Sequence, residues 1–202
     1  MTKLDRTGAI LFSTLVGGRN SDKVQAIAIA SNGDIVIGGT TQSDDLMALA
    51  GAPGRTVGGF EQGFVAKLSA DGSALLGFRY VGGDSTDSIS DMTLLSTGEV
   101  ALIGGTASHN HPDVTADALN SQFEGVYAGF LGLLSVETLE TRYFSFFEPG
   151  ISLNKLSTIG MKAYLTGSAF GYYPPASGTA LVCEEQGVSD CYTFLGVIDL
   201  VQ

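Results

Sequence analysis

The sequence has no tryptophan, only two cysteines, two histidines and five prolines among 202 residues, and ten lysines and arginines stand against twenty-one acids. Each scarcity excludes something. With a net charge of −11 and so few basic side chains, a phosphate-tracking surface is not expected, which removes nucleic acid and anionic membranes as partners. The acidic surface reads as a solubility device. No apolar run approaches the roughly 18 residues of a membrane span. The opening Met1-Thr2-Lys3-Leu4-Asp5-Arg6 leads into a strand-like pattern, with no signal-peptide apolar region after it. The chain is therefore expected in the cytoplasm if it is complete, and outside the cell or on its surface if it is a piece of a longer protein. The two cysteines, Cys183 and Cys191, lie eight apart in an acidic, glycine-containing segment. A disulfide closing that loop and a pair of free thiols are both open readings, whereas a metal site needs more ligands than the neighbourhood supplies.

What the sequence has in abundance is glycine and short apolar runs. Hydrophobic residues make up 44% and charged residues 15%, a globular composition with ample material for a core. The 28 glycines are about twice the number expected at a usage of ~7%, and they recur at matched places. Gly63-Phe64-Val65-Ala66-Lys67-Leu68 returns as Gly129-Phe130-Leu131-Gly132-Leu133-Leu134 and as Thr193-Phe194-Leu195-Gly196-Val197-Ile198. Ile35-Val36-Ile37-Gly38-Gly39-Thr40 returns as Val100 to Thr106 and, more loosely, as Ala163 to Ser168. Leu11-Phe12-Ser13-Thr14-Leu15-Val16-Gly17-Gly18, followed by Asp22, matches Leu76 to Gly83, followed by Asp87. The third copy, Tyr143 to Gly150, keeps the aromatic strand and loses the paired glycines. A last element, Ala26–Ala30, corresponds to 90–95 and 155–159.

These runs mix β-branched or aromatic residues with small ones and are bounded by turn formers, the signature of strands and hairpins. Asn32-Gly33, Thr97-Gly98 and Asp71-Gly72 mark turns that need positive φ. One unit is expected to hold four antiparallel strands near 25–30, 34–40, 63–68 and 74–81. A short helical turn is expected in the long connection 41–62, with 107–128 as its counterpart. Three such units of about sixty-five residues, approximately 4–67, 68–133 and 134–202, form one domain. A four-stranded sheet repeated at constant length reads as a propeller blade, since radial packing buries both faces and leaves short edges.

The Gly-Gly pairs with Asp22 and Asp87, the Asn32-Gly33 and Thr97-Gly98 turns, the Gly39-Thr40 and Gly105-Thr106 strand ends, and Phe64-Val65-Ala66-Lys67-Leu68 with Phe130 together resemble the SBBP family. That is the bacterial β-propeller repeat found in tandem in large, often secreted or surface-associated proteins. The third unit retains only Gly167 and Phe194-Leu195 of the pattern. The resemblance covers nearly the whole chain and implies an all-β propeller architecture of three four-stranded blades; it implies no chemistry. Radial closure ordinarily takes four to eight blades. Two completions are open. Two chains could meet head-to-tail, the early strand of each completing the last blade of the other in a six-bladed homodimer, or further blades of a longer parent chain could close the ring.

No catalytic constellation stands out. His109 and His111, in Ser108-His109-Asn110-His111-Pro112-Asp113, are candidate ligand contacts, and beside Asp113 they could hold a metal, against the plainer reading of a solvated loop. No Gly-x-Ser-x-Gly elbow accompanies them. Asp22 and Asp87 read as turn-stabilising side chains accepting backbone N–H groups, with calcium ligation the alternative, and Asp44-Asp45 and Glu184-Glu185 as solvated acids. Gly17-Gly18 precedes no helix and is no phosphate loop. In Tyr143-Phe144-Ser145-Phe146-Phe147, alternation puts Tyr143 and Phe147 on one face and Phe144 and Phe146 on the other, as a strand between two packed sheets requires. Tyr172 and Tyr173, in a Tyr- and Pro-rich stretch, are candidate contacts for a sugar or a protein. The functional expectation is a non-enzymatic scaffold presenting the loops near 41–62, 107–128 and 169–192, without a resident cofactor. A carbohydrate-binding propeller is the alternative, and an enzyme with a pocket at the channel mouth a third.

Overall fold

The structure is a computed structural model that describes residues 1–46, 61–169 and 192–200. Every element defined among the described residues is a β-strand. The strands are β1 (Thr2–Leu4), β2 (Ile10–Ser13), β3 (Asp22–Ile29), β4 (Ile35–Thr41), β5 (Gln62–Leu68), β6 (Leu75–Val81), β7 (Asp87–Leu94), β8 (Glu99–Thr106), β9 (Ala128–Ser135), β10 (Thr141–Pro149), β11 (Ile151–Ile159), β12 (Lys162–Ala169) and β13 (Tyr192–Asp199). They form a β1–β2 hairpin and three antiparallel meanders: β3-β4-β5-β6, β7-β8-β9-β10 and β11-β12-β13. The first two sheets have the four strands expected of a unit. The third has three among the described residues. The expected turn residues carry positive φ, +90° at Gly33, +86° at Gly98 and +68° at Gly72. The 107–127 connection is a series of turns; residues 47–60 of its counterpart, where the short helical turn is expected, lie outside the described residues.

The sheets share a defect that proves their equivalence. Each first strand shifts register at one place, between Val24 and Ala26, Ile89 and Asp91, and Leu153 and Lys155. Opposite each shift stands a glycine, Gly39, Gly104 and Gly167, and the first-strand carbonyl of Lys23, Ser88 or Ser152 occupies the space a Cβ would need. A bulge pushes one residue out of the ladder, and only glycine leaves room for the displaced backbone. Across the next ladder the same glycines face Phe64, Phe130 and Phe194. The glycine and phenylalanine repeats are thus one cross-strand motif. The structural register pairs Gly39 with Gly104, and Thr41 with Thr106; matching Gly39 to Gly105, as the sequence runs suggest, is one residue out.

Burial follows from the stacking. One cluster joins Ala26, Val36 and Val65 of the first sheet to Ile89, Met92, Val100, Leu102, Phe130 and Phe144 of the second. Another joins Ala101, Ile103, Leu131 and Leu133 of the second to Leu153, Leu156, Ala163 and Leu165 of the third. The middle sheet is covered on both faces, which explains why β8 and β9 are apolar without alternation. The aromatic strand β10 divides as alternation requires, Phe144 and Phe146 into the first cluster, Tyr143 and Phe147 against the second. The other face of the first sheet, with Ile35, Ile37, Phe64, Phe78 and Tyr80, is partly covered by Met1, Phe12 and Val16 from the β1–β2 hairpin and its exit.

Candidate functional site

Asp87 opens β7 and sits fully buried where three segments meet. Its carboxylate accepts the Thr106 hydroxyl at 2.5 Å, the Ser108 hydroxyl at 2.8 Å and the Gly83 N–H at 2.9 Å. One carboxylate therefore ties the start of a sheet to the end of its own second strand and to the turn leaving the preceding sheet. The same device operates in the first unit, where Asp22 accepts from the Thr41 hydroxyl, from the Ser43 hydroxyl at 3.1 Å and from the Gly18 N–H at 2.8 Å. The turn runs close against the carboxylate: a Cβ on Gly82 would lie 2.6 Å from Asp87 Oδ2 and 2.2 Å from Gln62 Oε1, and one on Gly17 3.0 Å from Asp22 Oδ2, while the second glycine of each pair clears other neighbours, Gly18 the Asp45 and Ser43 side chains and Gly83 the Asn110 carbonyl and Ser108. Burial pushes the Asp87 carboxyl above the usual 3.8, opposed by its three hydrogen bonds. In the third sheet the register place of the aspartate is Ile151, opposite Ala169 where threonine stands before. Both are buried, so an apolar pair replaces the polar tie.

Beside Asp87 lies a second buried polar group. His111 is enclosed, its ring stacked on Phe144 at 4.3 Å with Phe130 and Phe146 around it. Its Nδ1 accepts the Asp113 N–H at 3.4 Å, and its Nε2 lies 4.0 Å from Asp87 Oδ1. Asp113 pairs with Arg79 from β6 and accepts the Thr141 hydroxyl at 3.0 Å. The guanidinium also donates to the Leu139 carbonyl at 2.7 Å. Leu139 is the one non-glycine residue with positive φ, 59°, among the described residues. Its buried side chain and this bond hold a conformation that costs a non-glycine residue about 1 kcal/mol or more.

The open feature of this region is a groove of about 410 Å³ lined by Asn120, Gln122, Phe123, Glu124, Phe147 and Pro149, between the long connection of the second unit and the end of β10. The connection is anchored, not draped. Asn120 N–H donates to the Ser145 hydroxyl at 2.9 Å and Phe146 N–H to the Asn120 carbonyl at 3.0 Å. Phe123 packs edge-on to Phe146 at 5.0 Å, and His109 stacks on Phe123 at 4.6 Å.

The structure separates the two predicted histidines. His109 is exposed and backs a groove-lining ring, whereas His111 is buried among phenylalanines and cannot touch a ligand without opening the core. The loop is therefore not simply solvated. Among the described residues no three His, Cys, Asp or Glu side chains converge as a metal site. Tyr172, Tyr173, Glu184, Glu185, Cys183 and Cys191 lie outside the described residues. Sequence reasoning missed Arg79, and it missed the hydroxyl partners of the aspartates. The signal for the latter was present, as Thr41-Gln42-Ser43 and Thr106-Ala107-Ser108 repeat at the spacing of Asp22 and Asp87.

No family model matches the chain, and no curated protein matches it in sequence. Among solved structures it resembles the Pyrococcus horikoshii acylaminoacyl peptidase in its orthorhombic crystal form, with 8% identity over 89% of this chain and 32% of that one and a TM-score of 0.30. The chain spans less than a third of that protein, and so loose a likeness carries no argument.

Proposed function

We propose that this chain is a non-catalytic β-propeller segment, its sheets being blades, that presents a binding groove on the long connection of the second sheet. One observation carries the reading. Every side chain of the kind that moves protons or attacks carbonyls in the central cluster, Asp87, Ser108, His111 and Asp113, is sealed between the first two sheets and joined to its neighbours, while the groove beside them is open. Groups that react with a substrate must reach it; groups that tie sheets together need not.

The groove lining favours a neutral saccharide as the small ligand. Asn120, Gln122 and Glu124 offer amide and carboxylate atoms for a sugar's hydroxyls, and the half-buried Phe147 and the edge of the buried Phe123 supply the apolar part of the lining. Among the described residues no cation lines it, and the net charge of −11 disfavours acidic glycans. A glycan array, followed by titration calorimetry of the best hit, tests this directly. Binding by the parent protein that Phe147→Ala weakens at least about tenfold is the expected result. An array without hits removes the saccharide, and ester, peptide or glycoside turnover abolished by His111→Ala removes the non-catalytic reading.

A further inference from the structure

We propose that the exposed face of β3, formed by Val24, Ile27 and Ile29, receives the third sheet of a second copy of this chain, so that two chains close head-to-tail into a ring of six sheets. The inference rests on the reading of the sheets as propeller blades. Its starting point is the shared register shift, which aligns Val24 with Ile89 and Leu153, and Ile27 with Met92 and Leu156. In the second sheet Ile89 and Met92 are 0% and 6% exposed, and in the third Leu153 and Leu156 are 1% and 8% exposed, each pair packed on the preceding sheet. In the first sheet Val24 and Ile27 are 51% and 55% exposed, with Ile29 at 55% beside them. The β1–β2 hairpin covers the outer strands of this face and stops short of β3. Three neighbouring apolar side chains, two of them at positions that the same fold buries twice, form a patch of the kind that marks an interface.

What fits such a face is already seen inside the chain: the outgoing face of another unit. Within the chain the third sheet packs on the second, not extensively on the first, so a second copy supplies it. The outgoing face of the third sheet presents Ser157, Tyr164 and Thr166, exposed or half-buried, at the places that Ala28, Val36 and Gly38 fill in the first sheet. The strand edges agree. β13 carries the third-strand pattern, and β5 and β9 with that pattern each pair with a fourth strand. Among the described residues β13 pairs only with β12. β2 carries the fourth-strand pattern and, among the described residues, pairs only with β1. Docking sheet three of one copy on sheet one of the other brings these two edges together, and strand addition removes both.

Sedimentation equilibrium over protein concentrations from submicromolar to about 100 µM, on the 202-residue chain and two variants, tests the assembly. The parent chain is expected at twice 20.9 kDa. Ile27→Glu, at an exposed position, and Thr166→Glu, on the opposite face, are each expected to raise the dimer dissociation constant about tenfold or more with an unchanged far-ultraviolet spectrum. A parent chain monomeric throughout overturns the proposal. So does a dimer weakened by Ile27→Glu alone, because that pattern means the β3 faces meet each other, and so does one indifferent to both variants. A monomer that still binds through the Phe147 groove defeats the assembly and leaves the functional reading standing; a dimer without groove binding does the reverse.

Discussion

Replacing Asp87 by alanine removes the acceptor from two hydroxyls and one backbone N–H in a place with no access to water. A hydrogen bond to a charged group contributes about 1.5–3 kcal/mol net, but the three here share one carboxylate and are not additive. Two of the donors are hydroxyls that rotate to other acceptors, while the Gly83 N–H is fixed by its turn. Ionising a buried carboxyl is itself costly, which offsets part of the gain. The expected loss for Asp87→Ala is therefore about 3 kcal/mol, with unfolding in urea as the assay and an unchanged m-value as the check that only stability has moved. Asp22→Ala removes the corresponding tie at a half-exposed place, where water replaces the lost partners, and is expected to cost about 1 kcal/mol.

The pH dependence carries a separate sign. Because burial raises the Asp87 carboxyl above 3.8, the folded chain holds that proton more tightly than the unfolded one. The stability it contributes is complete below 3.8 and is lost as pH rises through the raised folded value. Asp87→Asn cannot titrate, so the stability gap between parent and variant should narrow across that window. An Asp87→Ala cost below about 1 kcal/mol, or one equal to that of Asp22→Ala, refutes the claim that burial sets the strength of the tie. A gap that widens with rising pH refutes the account of the proton.

Two more outcomes follow from local geometry. Gly104→Ala places a Cβ onto the Ser88 carbonyl and against the Phe130 ring, whereas Gly98, at φ +86°, has nothing within 4 Å. Gly104→Ala should cost about 3 kcal/mol or prevent folding, and Gly98→Ala about 1 kcal/mol, both by urea denaturation. In the Ser69–Ser73 turn, hydrogen bonds from the Ser69 hydroxyl and from Ser73 hold the Asp71 carboxyl at about 2, below its usual 3.8. Its contribution to stability is present above 3.8 and lost as pH falls toward about 2. Carboxyl-detected NMR should find that midpoint near 2 in the parent, rising in Ser69→Ala; a midpoint already at the ordinary value refutes the turn geometry.

The strands were legible because the same physics was written three times. A single run such as Ile35–Gly39 is ambiguous between a strand and a short buried helix, but its recurrence between turn glycines leaves one solution, and the strands fall within a few residues of expectation. The aromatic run of β10 was legible for the same reason, since period two assigns Phe144 and Phe146 to one interface and Tyr143 and Phe147 to the other. The polar core was not. Arg79 and Asp113 are adjacent through a hairpin turn at Leu139 contributed by a different sheet, and no local pattern encodes that meeting. His111 looked like a loop residue because it follows Asn110 and precedes Pro112; only the three phenylalanines around it make its position internal.

The third unit shows why the aspartate, the threonine and the paired glycines belong together. Where the aspartate gives way to Ile151, its opposite residue becomes Ala169 and the glycine pair of the preceding turn disappears from the sequence. If the glycines served only to turn the chain, their loss would not accompany that of a carboxylate on another strand. Their service is clearance for the polar corner that the aspartate organises: a Cβ on Gly82 would stand 2.2 Å from Gln62 Oε1 and 2.6 Å from Asp87 Oδ2, and one on Gly83 2.3 Å from the Asn110 carbonyl and 2.7 Å from the Ser108 Cβ. The bulge glycine follows a different rule. Gly167 persists in the third sheet because the Ser152 carbonyl still fills its Cβ position, a demand of the backbone alone. Side-chain ties are thus exchangeable between units and backbone clearances are not, which is why the glycine opposite Phe194 outlasts the rest of the motif.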